Sequence, residues 1–508
     1  MDRRLFLTLP LAFAACSSKP SFSVEEVEIA TLGEALRKGS VTVRGLVEAY
    51  LARIEEIDRS GPTLNSVIEV NPDALTIADE LDRELLEKRD RGPLHGIPIL
   101  LKDNIDTADK MKTTAGSLAL LDAPAPKEDA PIVTRLREAG AVILGKTNLS
   151  EWANIRSNRS SSGWSGRGGL TKNPYALDRN TSGSSAGSGA AAAASLCAAA
   201  IGTETDGSIV SPSSVCGLVG IKPTVGLLRG EGIIPISHSQ DTAGPMARTV
   251  RDAVLVLCAM NVNKTDFTPF LDPNGLKGVK LGVARRFMGR NQHVTRIAEQ
   301  CLEALQKAGA TLVDPFDMTS LDFSGERNTL LYELKADMAA YLEKRGASLR
   351  TLDDLIAFNM KNVEKELPWF GQEYFVDSAK TDGLQNKDYL EAREKVAKVT
   401  EAFTKLMDDA GIDAVVAPTN NPAWLTDLIN GDNFGQGCSG PAAVTGFPHI
   451  TVPAGLVNGL PVGFSFFGRA NDEGKLIGMA YAFEQATKAR RAPRYWQRTT
   501  PHPPEARS

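Results

Sequence analysis

Asn180-Thr181-Ser182-Gly183-Ser184-Ser185-Ala186-Gly187-Ser188-Gly189, a run of mainly small residues over 190–200, and then Ile201-Gly202-Thr203-Glu204-Thr205-Asp206-Gly207-Ser208-Ile209 form the stretch that decides this chain. Glycine and serine cluster at both ends, and alanine fills the middle. Glycine lets backbone approach closely or take positive φ, so such clusters can turn N–H groups inward. Alanine is the strongest helix former and adds almost no side chain, so the run reads as a helix packed tightly into a core. A flexible Gly/Ser linker is one alternative, but linkers do not enclose a long Ala/Leu/Ile segment. Gly183-Ser184-Ser185-Ala186-Gly187 also fits G-x-S-x-G, a turn that presents a nucleophilic serine directly after an apolar strand. Residues 172–180, which precede it, are polar and broken by Pro174, unlike such a strand.

Farther upstream, Gly96-Ile97-Pro98-Ile99-Leu100-Leu101-Lys102-Asp103-Asn104 has the pattern G-x-P-x-x-x-K-D-N. With G-S-S-A-G-S at 183–188 and G-T-E-T-D-G-S-I at 202–209, these three pieces resemble the amidase signature family over residues 30–490. Ser150-Glu151-Trp152-Ala153-Asn154 and Gln240-Asp241-Thr242-Ala243-Gly244-Pro245-Met246 look most like the bacterial peptide amidases of that family. The resemblance implies an α/β fold whose core is a large mixed, mostly parallel sheet covered by helices on both faces. It implies hydrolysis of a carboxamide to a carboxylate and ammonia through an acyl-enzyme. Ser208 would be the nucleophile, Ser184 would bridge it to Lys102, and the Gly183–Ser184 peptide would be cis. Backbone N–H groups of Thr205, Asp206, Gly207 and Ser208 would form the oxyanion hole, and Ser185 would hydrogen-bond Lys102.

Amide hydrolysis needs a nucleophile, a base, donors for the oxyanion and an acid for the departing nitrogen. No histidine lies within 180–209, and His95, at the start of the segment leading to Lys102, reads as structural. Lys102 is then the candidate base. A free lysine, with a pKa of about 10.4, is a poor base at neutral pH. Burial among neighbours such as Ile99, Leu100 and Leu101 would lower that value. A structural pairing of Lys102 with Asp103 is the competing reading. Glu204 stands where the family more often has aspartate, and it reads as structural. Such a site calls for no metal or cofactor, because the motif supplies its own base and donors.

Three rival functions fit less well. In the related amidotransferase subunit that makes Gln-tRNA, an arginine follows the nucleophile as S-I-R and grips a carboxylate. Val210 occupies that position here. This favours a neutral amide, such as a peptide C-terminal amide, over a free amino acid; a general aliphatic or aryl amidase is the alternative. The S-x-x-K motif of penicillin-binding enzymes occurs nowhere in the chain. A non-catalytic binding lipoprotein would not need Lys102, Ser184 and Ser208 together.

Outward from the motifs, strands and helices alternate, which argues an α/β fold with a largely buried sheet. Residues 65–70, 94–102, 141–144, 414–418, 449–453 and 464–467 read as strands. Residues 72–89, 130–139, 249–260 and 474–488 read as helices, and Thr42 caps another. Thr31-Leu32-Gly33-Glu34 has the form of a capping box opening a short helix. Charged helical patterns dominate residues 261–405, which in the family form a variable helical region shaping the substrate funnel.

The chain has 508 residues, 42% hydrophobic and 23% charged, an ordinary globular composition. A net charge of −5 offers no basic footprint for nucleic acid. The six cysteines are scattered without C-x-x-C, which suggests neither a zinc site nor a disulfide framework. At the N-terminus, Arg3-Arg4 and the apolar run over 5–15 resemble a twin-arginine export signal, too short to span a bilayer. Ala14-Ala15-Cys16-Ser17 resembles a lipoprotein cleavage site with Cys16 as the lipidated residue; Ala12-Phe13-Ala14 fits ordinary cleavage. The expected organisation is an export signal over 1–15, a tether over 16–29, an amidase domain over 30–490 and a tail over 491–508. The expected location is the periplasm or, through the lipid, the cell envelope, and the expected partner is a small-molecule or peptide amide.

Overall fold

The computed structural model describes residues 22–499. The export signal over 1–15, Cys16 and residues 500–508 of the C-terminal tail therefore lie outside the described residues. An eleven-stranded sheet runs through the molecule. Its order is Val67–Val70, Val142–Thr147, Pro98–Lys102, Ala199–Glu204, Thr242–Ala247, Val219–Lys222, His449–Val457, Leu460–Phe467, Ala414–Pro418, Lys280–Val283, Thr311–Val313. The class is α/β and the sheet is mixed, as expected. Parallel pairing is less extensive than the resemblance implies: four of the ten strand pairings are parallel and six antiparallel. One cause is local. Asn458 and Gly459, both with positive φ, close a two-residue hairpin between His449–Val457 and Leu460–Phe467. Such turns make neighbours antiparallel.

The central strands, Pro98–Lys102, Val142–Thr147 and Ala199–Glu204, are buried along their whole length. That explains their continuous apolar runs, which lack an in-and-out alternation. Helix Ala186–Ala193 contains only alanine, glycine and serine and is buried at every residue. It packs against the strands of the Lys102 half of the sheet. The small-residue run thus splits: its first part is this helix, while Ala199 and Ala200 open the next strand.

Thr42 caps helix Val43–Arg53, accepting the Gly45 N–H at 2.9 Å. Helix Ile29–Arg37 starts ahead of Thr31, so Thr31 is no cap. Asp252 accepts the Ile29 N–H at 3.1 Å, and its carboxylate comes from helix Val250–Met260. Pro72 likewise precedes helix Ala74–Leu86 rather than opening it. Within 261–405, Lys280–Val283, helix Gln292–Lys307 and Thr311–Val313 form a strand–helix–strand unit that extends the sheet. The long helices Glu326–Arg345 and Lys387–Ala410 pack on each other. Among the described residues, no helix is long and apolar enough to cross a membrane.

Candidate active site

Lys102 ends a strand that runs parallel to Val142–Thr147 on one side and to Ala199–Glu204 on the other. The register that sets Leu101 against Ile201 carries its side chain towards Thr203. Lys102 is completely buried. Its Nζ lies 2.7 Å from Ser184 Oγ, 2.9 Å from Thr203 Oγ1 and 3.2 Å from the Thr203 carbonyl oxygen. Asn104 Nδ2 donates to the same Thr203 hydroxyl at 3.0 Å. Burial pulls the Lys102 pKa down to about 7, against the opposing charges of Asp241 and Glu204. Desolvation penalises the ammonium more than two acids at this range support it.

Asp103 does not pair with Lys102. Its carboxylate accepts from the Thr114 hydroxyl, from the Gly116 N–H at 3.2 Å and from Arg167 Nη1 at 3.3 Å. His95 accepts the Arg91 N–H on Nδ1 and faces the Leu81 carbonyl with Nε2, each at 3.1 Å. That is a structural histidine, held by backbone groups away from Lys102. His449 is also completely buried, its Nε2 2.6 Å from Ser465 Oγ, and burial pushes its pKa down to about 3.

Ser184 follows a cis Gly183–Ser184 peptide. A Cβ at position 183 would collide with Ser150 Oγ, so glycine is required there. The Ser150 N–H in turn donates to the Ser184 carbonyl at 3.0 Å. Ser185 does not reach Lys102, contrary to expectation. Its hydroxyl donates to the Thr203 carbonyl at 3.1 Å and accepts the Thr203 N–H at 3.2 Å. The two adjacent serines point to different partners, so only Ser184 is left for the lysine. The Ser185 N–H donates to the Ser208 carbonyl at 3.2 Å, which ties the two serine-bearing loops together.

Ser208 lies between strand Ala199–Glu204 and helix Val210–Val215 and is 8% exposed. Gly207 before it takes φ +77°, a conformation that favours glycine. Among the described residues, no protein group accepts from the backbone N–H of Thr205, Asp206, Gly207 or Ser208. These four donors remain available. Glu204 folds the loop: its Oε2 accepts the N–H of Ile209 at 2.7 Å and of Val210 at 3.0 Å. Thr205 is held by Asp241, whose Oδ1 accepts from Thr205 Oγ1 at 2.6 Å. Asp241 also accepts the N–H groups of Ile236 and Ser237, and burial raises its pKa to about 6.

The residues missed from sequence are Thr203 and Asp241. Thr203 sits inside the motif, but its bond to Lys102 depends on strand register. Asp241 belongs to the segment resembling peptide amidases, yet nothing local to it points to Thr205.

Known proteins resemble this chain over most of its length. The family model for Amidase matches residues 45–477. A protein of Arabidopsis thaliana named probable amidase is 40% identical, covering 94% of this chain and 93% of its own. One component of the glutamyl-tRNA(Gln) amidotransferase of Thermoanaerobacter pseudethanolicus is 32% identical, over 90% of this chain and 96% of its own. The crystal structure of native peptide amidase from Stenotrophomonas maltophilia superposes with a TM-score of 0.87 at 47% identity, covering 92% of this chain and 99% of that one. On the family match, these relatives and the shared fold, the chain belongs to the amidase signature family and is an amidase, a hydrolase with a serine nucleophile.

Proposed function

We propose that this amidase releases ammonia from the C-terminal carboxamide of peptides, with Ser208 as nucleophile, Ser184 as relay and Lys102 as base. The observation that carries the reading is the contact of the buried Lys102 Nζ with Ser184 Oγ at 2.7 Å. A neutral amine has two N–H groups and one lone pair. The Thr203 carbonyl and hydroxyl take the two N–H groups, which turns the lone pair towards Ser184. Ser184 gives its proton to Lys102 and receives that of Ser208 as the Ser208 Oγ bonds the amide carbon. The N–H groups at 205–208 meet the oxygen that becomes negative. The C–N bond then breaks as the relay returns a proton to the nitrogen, and ammonia leaves. Water attacks the acyl ester through the same relay, regenerating Ser208 and releasing the carboxylate.

The peptide assignment is supported by the likeness to the Stenotrophomonas maltophilia enzyme, whose name is peptide amidase. Val210 supports it too. It is a buried, uncharged first residue of a helix, with no cation there for a free α-carboxylate. The test is ammonia release from a panel of peptide amides, free amino-acid amides and aryl amides. Peptide amides should show the highest kcat/KM; highest turnover of aryl amides would make the enzyme a general amidase instead. From the sequence, export through the Arg3-Arg4 signal and lipidation at Cys16 complete the proposal, placing the enzyme in the periplasm or on the cell envelope.

A further inference from the structure

Asp206 stands two residues before Ser208 on the same loop. Its side chain is exposed, yet protein surrounds it closely enough to raise its pKa through burial. Glu326, the first residue of helix Glu326–Arg345, is tied to the same loop through the Gln240 side chain. It is half-buried, and its pKa is pushed up to about 8, by burial first and then by the Asp206 charge.

Gln240 stands between the loop and this helix. Its Nε2 lies 3.0 Å from Glu326 Oε1 and 3.4 Å from the Thr205 carbonyl oxygen. The residue is 0% exposed, and the other end of the same amide, Oε1, has no partner. An orphaned buried acceptor is costly unless something fills it. Neither carboxylate has an ion-pair partner among the described residues. Lys222 is the cation whose charge Asp206 feels, but its Nζ donates to the carbonyls of Phe447 at 2.6 Å and Pro223 at 3.2 Å. Ser439 is the hydroxyl that hydrogen-bonds Asp206. With its pKa near 8 the Glu326 carboxyl is mostly protonated at neutral pH, and a cation entering beside it would draw that proton off into solvent, leaving two carboxylates and an unfilled amide oxygen as acceptors, the complement of an ammonium or guanidinium, which carry only donors.

We infer that Asp206, Gln240 and Glu326 form a subsite for a cationic amine on the acyl side of the substrate, beside the amide that Ser208 attacks. It rests on the proposed function in taking Ser208 as the reacting atom. The cation can come from the α-amine of an amino-acid amide or from a basic side chain. Both offer the same chemistry.

Matched pairs separate the two sources. One pair is Nα-acetyl-lysinamide and its Nε-acetyl derivative; the other is leucinamide and Nα-acetyl-leucinamide. Within at least one pair, the wild-type kcat/KM should favour the cationic member by about tenfold or more, as expected for a charged hydrogen bond. Glu326→Gln and Asp206→Asn should bring that ratio near one, mainly through KM of the cationic member. Each ratio is internal to one preparation, so a general loss of activity or folding cancels. Ratios near one in both pairs for wild type, or a preference surviving both substitutions, would overturn the inference. The same four amides titrated calorimetrically into Ser208→Ala read the preference without turnover. Cationic preference in binding with no hydrolysis of any amide would sink the proposed function and leave the subsite standing.

Discussion

Lys102→Ala is the most searching perturbation, because it removes the group on which the relay depends. With a pKa of about 7, half of the Lys102 side chains are neutral at pH 7 and about one in ten at pH 6. A solvated lysine with a pKa of about 10.4 would be neutral in only about one molecule in 2,500 at pH 7. Burial therefore supplies about a thousandfold more of the basic form at neutral pH. The sign follows: the pKa is lowered, the neutral form exists above it, and activity falls as pH drops through about 7. The assay is ammonia release as kcat/KM from pH 5 to 9 at constant ionic strength. Asp241, raised to about 6, titrates on the same limb and must be separated. Its charge supports the Lys102 ammonium, so Asp241→Asn should move the limb to lower pH. Lys102→Ala should lose several orders of magnitude at neutral pH and recover partly at high pH, where hydroxide substitutes. Lys102→Arg should not rescue, because guanidinium stays charged. An unchanged acidic limb in Lys102→Ala, at nearly the wild-type rate, would mean that another residue is the base.

The remaining expectations concern neighbouring groups and the leader. Ser208→Ala should abolish hydrolysis in a folded protein; retention of more than a few per cent of activity would refute its role. Ser184→Ala should be far more damaging to kcat than Ser185→Ala, since only Ser184 touches Lys102; equal losses would count against the relay. Thr203→Val removes the hydroxyl that orients Nζ and should lower kcat more than it raises KM, and a pure KM effect would oppose this. Glu204→Ala leaves the Ile209 and Val210 N–H groups unpaired and should cost about 1–3 kcal/mol or more in urea unfolding, with Glu204→Gln restoring part of it. Replacing Arg3 and Arg4 by lysine should trap precursor in the cytoplasm, and Cys16→Ala should release a membrane-bound wild type; normal processing, or a wild type already free of membranes, would refute the respective reading.

What could be read from the sequence follows how local each cause is. Lys102, Ser184 and Ser208 are legible because each sits in a short motif whose residue types match a chemical need. Glu204 is legible as structural for the same reason: its partners, Ile209 and Val210, lie five and six residues away. Ser185 is different. Which of two adjacent serines faces the lysine is decided by backbone direction, and composition does not encode that. Thr31 failed as a cap because a distant carboxylate, Asp252, had already fixed the helix start. The hairpin at Asn458-Gly459 was readable in principle, since this dipeptide is a strong local turn signal. Glu326 marks the limit. It sits in a charged stretch where a lone glutamate reads as solvated surface, more than a hundred residues from Asp206. Only the packing that sets Gln240 against both the nucleophile loop and the long helix brings those two acids together. The proposed reacting groups are therefore written in local motifs, whereas the pairing of Asp206 with Glu326 is assembled by tertiary contacts that no local motif encodes.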